Sequence, residues 1–542
     1  MKNLKYLLLS ALLVVFTACS DDEYDYTPDA EPLPELTAGS ANFSNYVAVG
    51  ASFTAGYSDG AVFIASQTNS FPNILNQEFS NAGGGSFTQP LMKDNIGGLL
   101  FSGKVIANPR LFFNGSGPEM LAATPTTEVT NALTGPFNNM GVPGAKSFHF
   151  VAPGYGNLAG VPIGKANPYF ARMASSASTT IIGDAVAQNP TFFTLSEVGG
   201  NDVLTYATSG GTGVYQEGNL DPATYGGNDI TDPNVFAATF QASVTALTAN
   251  GAKGVVTNVP YITSLPHFTT VPYNPLSPAN PSFGPQIPML NSIFGALNQI
   301  FEVIDPSRVI LFSQTAASAV VIYDEDLTNI APQIAGALNA SPTFPAFIAQ
   351  FGLPPQAAPL VAGLLANTYG QARQATKNDL LVLPSSTVIG TVNMTSLQAL
   401  MGQGLSQELA GQFSVEGVTL PLADKWVLTP QEQLNVKTAT DLYNQTIEVV
   451  ANQYGLAIVD FKSILQTAST TGYTDGKFKF TTKLVTGGLV SLDGIHLTSR
   501  GYAVMANAFL KAIDAKYGSN FVAAGVTADA GEYPTNYSAT FR

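Results

Sequence analysis

Residues 46–56 read YVAVGASFTAG, and this stretch decides the fold of the chain. Its first half alternates β-branched and small residues and ends at a glycine, which is typical of a buried strand, and the chain then turns sharply at Gly50, Ala51 and Ser52. Small neighbours let the backbone around Ser52 approach a substrate closely, and the residues that follow can open a helix whose free N–H groups point back at the serine. The alternative is a strand that ends in an ordinary serine-containing turn.

Two glycine-containing stretches follow. Residues 139–145 read NMGVPGA, a tight turn in which a backbone N–H can be left exposed, although a purely structural turn is the better explanation of this motif when it stands alone. Residues 191–202 read TFFTLSEVGGND, a predicted strand that stops at two glycines and an asparagine. The amide of Asn201 offers two N–H donors without carrying a charge, which suits a developing oxyanion.

Near the other end of the chain, residues 491–498 read SLDGIHLT and precede a helix predicted over 498–517. Asp493 and His496 are three residues apart, a spacing that can bring a carboxylate against one imidazole nitrogen while the other faces outward. A surface turn is the alternative for this motif alone. The chain has 3 histidines, and His149 and His267 lie in aromatic or proline-rich loops without a nearby acid, which favours structural roles for both.

Taken in order, these four stretches resemble the sequence blocks of the SGNH/GDSL hydrolases over roughly residues 44–325 and 427–518. The family usually has Asp where this chain has Ala51, and that acid is not the catalytic one. The resemblance implies an α/β protein with the three-layer α/β/α flavodoxin-like SGNH-hydrolase fold and a parallel sheet. The activity that it implies is ester hydrolysis by a lipase, esterase or acylhydrolase that needs no metal or other cofactor.

The resemblance also assigns roles to individual residues of this chain. It implies a structural role for Asp202. It makes Gly144 an oxyanion donor, with Gly141 as the weaker choice. In full it implies a catalytic triad of Ser52, Asp493 and His496 and an oxyanion hole formed by Ser52, Gly144 and Asn201.

Helices and strands alternate along much of the remaining chain. Helices are predicted over 71–79, 233–250 and 430–454, and strands over 111–113, 254–260, 309–312 and 456–461. A helix, a short turn and a buried strand are the repeating unit of a parallel sheet. Residues 326–425 interrupt this alternation with apolar helical segments such as 344–351 and 359–365. They predict a mainly helical insertion, which is either additional core or a lid or acyl-chain pocket, and Trp426 at its end is expected to pack.

The first 40 residues predict export and anchoring. Residues 1–18 carry two lysines followed by a short apolar run and small residues, the layout of a signal peptide. Cys19, the only cysteine, follows directly and resembles the lipidation site of a bacterial lipoprotein. Residues 19–40 begin with an acidic, proline-bearing segment, which predicts a flexible tether. The acids directly after the cysteine resemble a surface-export signal of bacterial lipoproteins, which implies anchoring to the outer membrane with the protein at the cell surface. The remainder, 41–542, is predicted to be one hydrolase domain with its insertion; a cleaved, soluble form is the alternative.

Composition limits the partners. A net charge of −15 repels nucleic acid and anionic lipid headgroups, so the membrane is expected to be reached through the N-terminal lipid alone. Hydrophobic residues make up 45% of the chain and charged residues 11%, which indicates a large core. We expect a monomer acting on a small-molecule, lipid or polysaccharide ester. The alternatives are a carbohydrate acetyl esterase at the cell surface and a catalytically inactive surface binding lipoprotein.

Overall fold

The computed structural model describes residues 32–542. The predicted signal peptide, Cys19 and the first part of the predicted tether therefore lie outside the described residues. The last part of that tether is held by hydrogen bonds. The N–H of Thr37 donates to Oδ1 of Asn520 (2.7 Å), the Asn520 amide donates to the carbonyl of Glu35 (2.9 Å), and the N–H of Ser40 donates to the carbonyl of Tyr517 (2.8 Å).

A five-stranded sheet, parallel throughout, lies at the centre of the fold. In the register, Ala48 lies between Thr194 and Asn139 of the neighbouring strands. The predicted α/β class with a parallel sheet is confirmed. Numbered along the chain, the strands have the spatial order 2-1-3-4-5. They are β1 (Tyr46–Gly50), β2 (Asn139–Gly141), β3 (Phe192–Ser196), β4 (Lys253–Thr257) and β5 (Ala457–Val459).

Helices occupy much of the remaining chain. They are α1 (Ile64–Thr68), α2 (Phe71–Ser80), α3 (Pro168–Met173), α4 (Ile181–Val186), α5 (Gly200–Thr208), α6 (Pro233–Thr248), α7 (Pro266–Thr269), α8 (Ile287–Ile304), α9 (Ala331–Ala340), α10 (Phe344–Ala349), α11 (Ala358–Tyr369), α12 (Met394–Gly402), α13 (Gln407–Gln412), α14 (Pro430–Tyr454), α15 (Phe461–Thr470) and α16 (Ser499–Tyr517).

The chain also forms short antiparallel pairs outside the main sheet. One is the pair in which the predicted strand Leu111–Phe113 takes part. The pairs are Leu99–Phe101 with Lys104–Ala107, Leu111–Phe113 with Pro118–Met120, Val321–Tyr323 with Ala372–Gln374, Leu380–Leu381 with Val427–Leu428, and Tyr473–Asp475 with Phe478–Phe480.

Helices cover both faces of the sheet. Every residue of β1 and β3 is buried, and because successive side chains of a strand point to opposite faces, both faces must be packed. Among the helices of the sheet region, α2 contacts α16, α6 contacts α4 and α14, and α14 also contacts α5. Helix α6 begins at Pro233 for two reasons. Proline suits the first turn of a helix, and the side chain of Asp232, the N-cap residue, accepts two backbone N–H groups.

A second hydrophobic core lies in the chain between β4 and β5. We use this name for the buried apolar residues between Val271 and Val427 that pack around α8, α9 and α11. Residues 326–425, predicted as a helical insertion, do contain helices, but this core begins earlier, at Val271. Helix α8 with the turn before it (Gly284–Ile304) is long and apolar enough to cross a membrane by length and composition. Its buried side chains, such as Phe294 and Leu297, belong to this core.

The predicted strand over 309–312 is wrong. The N–H and carbonyl groups of Ile310 bond to the side-chain amide of Asn298 (2.9 and 2.8 Å), and those of Phe312 bond to Asn291 (both 2.9 Å). The side chains of two asparagines of α8 thus take the hydrogen bonds that a neighbouring strand would make with this backbone in a sheet. The segment is apolar because Ile310 and Phe312 are buried in the second core, and not because it belongs to a sheet.

Candidate active site

Ser52 lies just beyond the carboxyl end of β1, the strand between β2 and β3 in the sheet. In open α/β sheets, ligands bind outside the carboxyl ends of the strands where the strand order reverses, and β1 stands at that reversal between β2 and β3. The turn before the serine requires glycine, because a Cβ on Gly50 would lie 2.1 Å from Oγ1 of Thr54 and 2.8 Å from the carbonyl oxygen of Ser196. Ser52 itself is 8% exposed. A mostly buried hydroxyl is thus fixed at the usual ligand-binding edge.

His496, 444 positions further along the chain, reaches this hydroxyl, and Asp493 contacts the other side of the imidazole. Nε2 of His496 lies 2.9 Å from Oγ of Ser52, and Nδ1 lies 2.8 Å from Oδ2 of Asp493. The three predicted triad residues are therefore joined by consecutive hydrogen bonds. Their order, hydroxyl to imidazole to carboxylate, is the one that nucleophilic catalysis by serine requires.

The carboxylate of Asp493 is surrounded by donors. Its Oδ1 accepts the hydroxyl of Ser491 (3.0 Å) and the N–H groups of Ile495 and His496 (both 2.9 Å), and its Oδ2 accepts the N–H of Gly60 (3.0 Å) besides the imidazole. Burial alone would raise the pKa of Asp493, but His496 and these hydrogen bonds hold it well below its ordinary value. An ionised carboxylate only accepts, so the proton lies on Nδ1 and leaves Nε2 free to accept from Ser52.

Asn201 lines the same pocket as Ser52 and His496. It is the second residue of α5, and its Nδ2 donates to the carbonyl of Ala145 (3.0 Å). Nδ2 carries two hydrogens, and this bond uses one of them. The bond also ties the asparagine to the turn that contains Gly144, so two of the predicted oxyanion residues are held next to each other.

Gly144 and Gly141 differ in whether their N–H groups are free. Gly141 lies in β2 and donates to Oδ1 of Asn139 (2.9 Å). Gly144 has a φ of +80°, the left-handed region that favours glycine, and its N–H has no acceptor among residues 32–542. The N–H of Ser52 is likewise without an acceptor in that part of the chain. An unsatisfied donor is what an oxyanion hole needs, so the geometry favours Gly144 over Gly141.

Asp202, the neighbour of Asn201, turns away from the triad. Its two carboxylate oxygens accept the N–H (2.8 Å) and the hydroxyl (2.6 Å) of Ser147. This buried contact fastens α5 to the turn after Gly144 and agrees with the structural role that was expected.

Glu197 is a residue that the sequence reasoning missed. One of its oxygens, Oε1, accepts the N–H of Ala51 (2.7 Å) and the N–H of Thr54 (2.9 Å), which lie on either side of Ser52 in the turn. The residue follows β3 with a φ of +48°, and its own N–H donates to Oγ1 of Thr257 (2.8 Å). Burial raises the pKa of Glu197. In the sequence, the signal that could have identified Glu197 is its position directly after β3, a strand that ends at the same edge of the sheet as β1, which precedes Ser52.

The other two histidines do not approach Ser52. Nδ1 of His149 accepts the N–H of Lys146 (3.0 Å), and its ring stacks on Tyr155. His267 contacts the triad loop through its backbone, because its N–H donates to the carbonyl of Gly494 (3.0 Å). Burial lowers the pKa of His149 to about 3 and that of His267 to about 4, so both are neutral at physiological pH.

An apolar pocket opens beside Ser52 and His496. Its empty volume, including the part open to solvent, is about 920 Å³. The residues that line the pocket include none of the segment 326–425. Leu383 of that segment lies close to the loop of Asp493 and His496, because a Cβ built on Gly494 would contact it. The apolar walls include Leu204, Ile262, Leu265, Phe461, Ile464 and Leu465.

Apart from this site, residues 32–542 contain one group of side chains close enough together to hold a metal ion. It consists of Glu325, Asp424 and Glu432, none of which lines the pocket at Ser52.

Comparisons of the chain with protein-family models, with curated proteins and with solved structures give no match, so the chemistry of the site has to be inferred from its own geometry.

Proposed function

We propose that this protein is a serine ester hydrolase. The observation that supports the proposal most directly is the unbroken series of hydrogen bonds from Ser52 through His496 to Asp493. In this proposal Ser52 is the nucleophile, His496 the general base and acid, and Asp493 the group that orients and stabilises the imidazolium. The N–H groups of Ser52, Gly144 and Asn201 hold the oxyanion.

The reaction takes place in two steps. Oγ of Ser52 attacks the ester carbonyl carbon while Nε2 of His496 takes the hydroxyl proton; the oxyanion then collapses, and the departing alcohol receives that proton. In the second step water attacks the acyl-serine and gives a proton to the same nitrogen, which passes it to Oγ of Ser52 as the bond to the acyl carbon breaks and the carboxylic acid leaves. The oxyanion donors do not have to move, because they are already fixed before the substrate binds.

The arrangement of the strands supports an SGNH hydrolase in particular. The order 2-1-3-4-5 is that of flavodoxin-like doubly wound sheets, and helices pack on both faces of this one. We therefore infer the three-layer α/β/α SGNH-hydrolase fold, with the second core as an addition. The absence of a carboxylate at Ala51 does not weaken the proposal, because Glu197 bonds to the backbone N–H of that residue and of Thr54.

The pocket favours esters with an apolar acyl chain over acetylated carbohydrate. Its walls beside Ser52 are made mainly by aliphatic and aromatic side chains, whereas a sugar needs many hydrogen-bonding partners. Each buried methylene contributes about 0.8 kcal/mol, which corresponds to roughly a fourfold gain in binding. Acyl chains longer than acetyl can use this contribution in the pocket.

A series of p-nitrophenyl esters from acetate to dodecanoate tests the proposal. We expect kcat/KM to rise by up to about fourfold per added methylene until the pocket is filled. Ile464→Asn places a polar side chain in the apolar wall and should therefore weaken hydrolysis of the long esters more than that of acetate. Activity confined to acetate would favour the carbohydrate acetyl esterase, and no hydrolysis of any ester would favour an inactive binding protein.

Glu197 provides a second prediction. Glu197→Ala removes the acceptor of two backbone N–H groups that flank Ser52, and we expect kcat to fall about 10- to 100-fold, because displacements of about 1 Å in an active site have effects of this size. Glu197→Gln keeps a carbonyl oxygen at the same place and should recover most of the loss. The measurement is kcat and KM for both variants. Equal losses in the two would show that the charge, and not the acceptor, matters.

Export and anchoring through a lipid on Cys19 remain part of the proposal. They rest on the sequence of residues 1–19 alone. Palmitate labelling that is unchanged in Cys19→Ala would remove this part without affecting the hydrolase assignment.

A further inference from the structure

Three carboxylates meet where the second core joins the main sheet. Glu325 follows the strand Val321–Tyr323, Asp424 begins the turn before Trp426, and Glu432 lies in the first turn of α14. One oxygen from each lies within 4.8 Å of the other two. The three come from separate segments of the chain, so folding and not local sequence brings them together.

Oxygens of this cluster are buried without a donor. Glu432 is 2% exposed; its Oε2 accepts the N–H of Thr429 (2.6 Å), but its Oε1 has no hydrogen-bond partner among the described residues. Oδ1 of Asp424 is also buried without a partner there. A buried carboxylate oxygen that lacks a donor is costly, so two such oxygens in one cluster point to a positively charged partner.

No basic side chain of residues 32–542 supplies that partner. The cluster takes part in none of the ion pairs within this range. Arg373 is engaged by Asp324 and Asp379, and the ammonium of Lys425 lies over the ring of Trp426, 4.8 Å from its centre.

The charges in the cluster repel one another. A divalent ion removes the repulsion by binding between the carboxylates, and Glu325, which is exposed, leaves the cluster open to solvent.

We propose that Glu325, Asp424 and Glu432 form a binding site for a hard divalent cation, Ca²⁺ or Mg²⁺, that fastens the second core to the N-terminus of α14. Hard oxygen ligands suit Ca²⁺ and Mg²⁺ and disfavour softer metals. Oxygens that all lie within 4.8 Å of one another can contact a single ion of either kind. Solvent would complete the coordination. The site is independent of the proposed ester hydrolysis.

The first test is terbium luminescence. Tb³⁺ replaces Ca²⁺ in oxygen sites and is excited by a nearby indole, and Trp426, the only tryptophan, lies two residues from Asp424. We expect Tb³⁺ luminescence on tryptophan excitation that Ca²⁺ or Mg²⁺ displaces. Glu325→Gln should weaken binding by roughly tenfold or more, because ligand charge sets the affinity of such sites. Glu408→Gln, which removes an exposed carboxylate elsewhere in the second core region, should bind as the wild type does.

The second test separates binding from folding. Ca²⁺ or Mg²⁺ at up to about 10 mM should raise the midpoint of thermal unfolding of the wild type but not that of Glu325→Gln or Asp424→Asn, since a ligand of the folded state alone stabilises it. Because Glu325 is exposed and caps no helix, its variant is expected to fold. The proposal is overturned if Tb³⁺ luminescence is the same in wild type and both variants, or if both Ca²⁺ and Mg²⁺ leave the wild-type midpoint unchanged.

Discussion

Ser52→Ala should abolish labelling by a fluorophosphonate probe and lower kcat for ester hydrolysis by about 10⁴- to 10⁶-fold, the range seen when a serine nucleophile is removed. The reason is that, within residues 32–542, no other hydroxyl is bonded to Nε2 of His496. The variant should fold, because the Ser52 side chain makes no other hydrogen bond among the described residues. Labelling followed by mass spectrometry of the modified peptide, together with kcat, measures the effect.

Ser44→Ala is the matched control for this experiment. Ser44 is exposed and lies on the same segment, two residues before β1, so its replacement tests the effect of losing a serine near the site without touching the triad. Its labelling and kcat should equal those of the wild type. A wild-type protein that the probe does not label would contradict the hydrolase and favour the inactive binding protein. Labelling that persists in Ser52→Ala would place the nucleophile elsewhere.

The elements that the sequence predicts well are those with a local cause. Strand β1 and helix α14 have the predicted bounds, because a run of small and β-branched residues ending at glycine makes a buried strand, and Thr429 with Pro430 begins a helix. Ser52 follows the carboxyl end of β1, Asn201 lies at the start of α5, and His496 lies just before α16. These three places are at one edge of the sheet, so the motif residues come together in one pocket.

The features that the sequence did not predict depend on contacts between distant segments. The apolar run at 309–312 resembles a strand, but the asparagines of α8 that bond its backbone can only be identified once the helix is packed beside it. Glu197 has no motif of its own, and its role follows from the position of the turn at Ala51. Glu325 and Glu432 are 107 positions apart in the printed sequence, so their proximity cannot be read from spacing.

Asp493→Asn should lower kcat by about 10⁴-fold and change KM much less, which is the usual effect of giving the imidazole the wrong tautomer. Oδ1 of Asp493 accepts three donors, so the asparagine oxygen will take that position and its NH₂ will face Nδ1 of His496. The amide then donates to Nδ1, the imidazole proton moves to Nε2, and Nε2 can no longer accept the proton of Ser52.

Asp59→Asn distinguishes this effect from a general disturbance of the loop. Asp59 is also buried, and its Oδ1 accepts the N–H of Leu492 (3.0 Å) beside the triad acid, but it does not contact the imidazole. Burial raises the pKa of Asp59 to about 7, so a neutral amide resembles a form that this residue already populates near neutral pH. Asp59→Asn should therefore stay within about tenfold of the wild-type kcat, the range expected for small losses of alignment. Comparable losses in both variants would mean that the loop has lost its fold, and the tautomer argument for Asp493 would then fail.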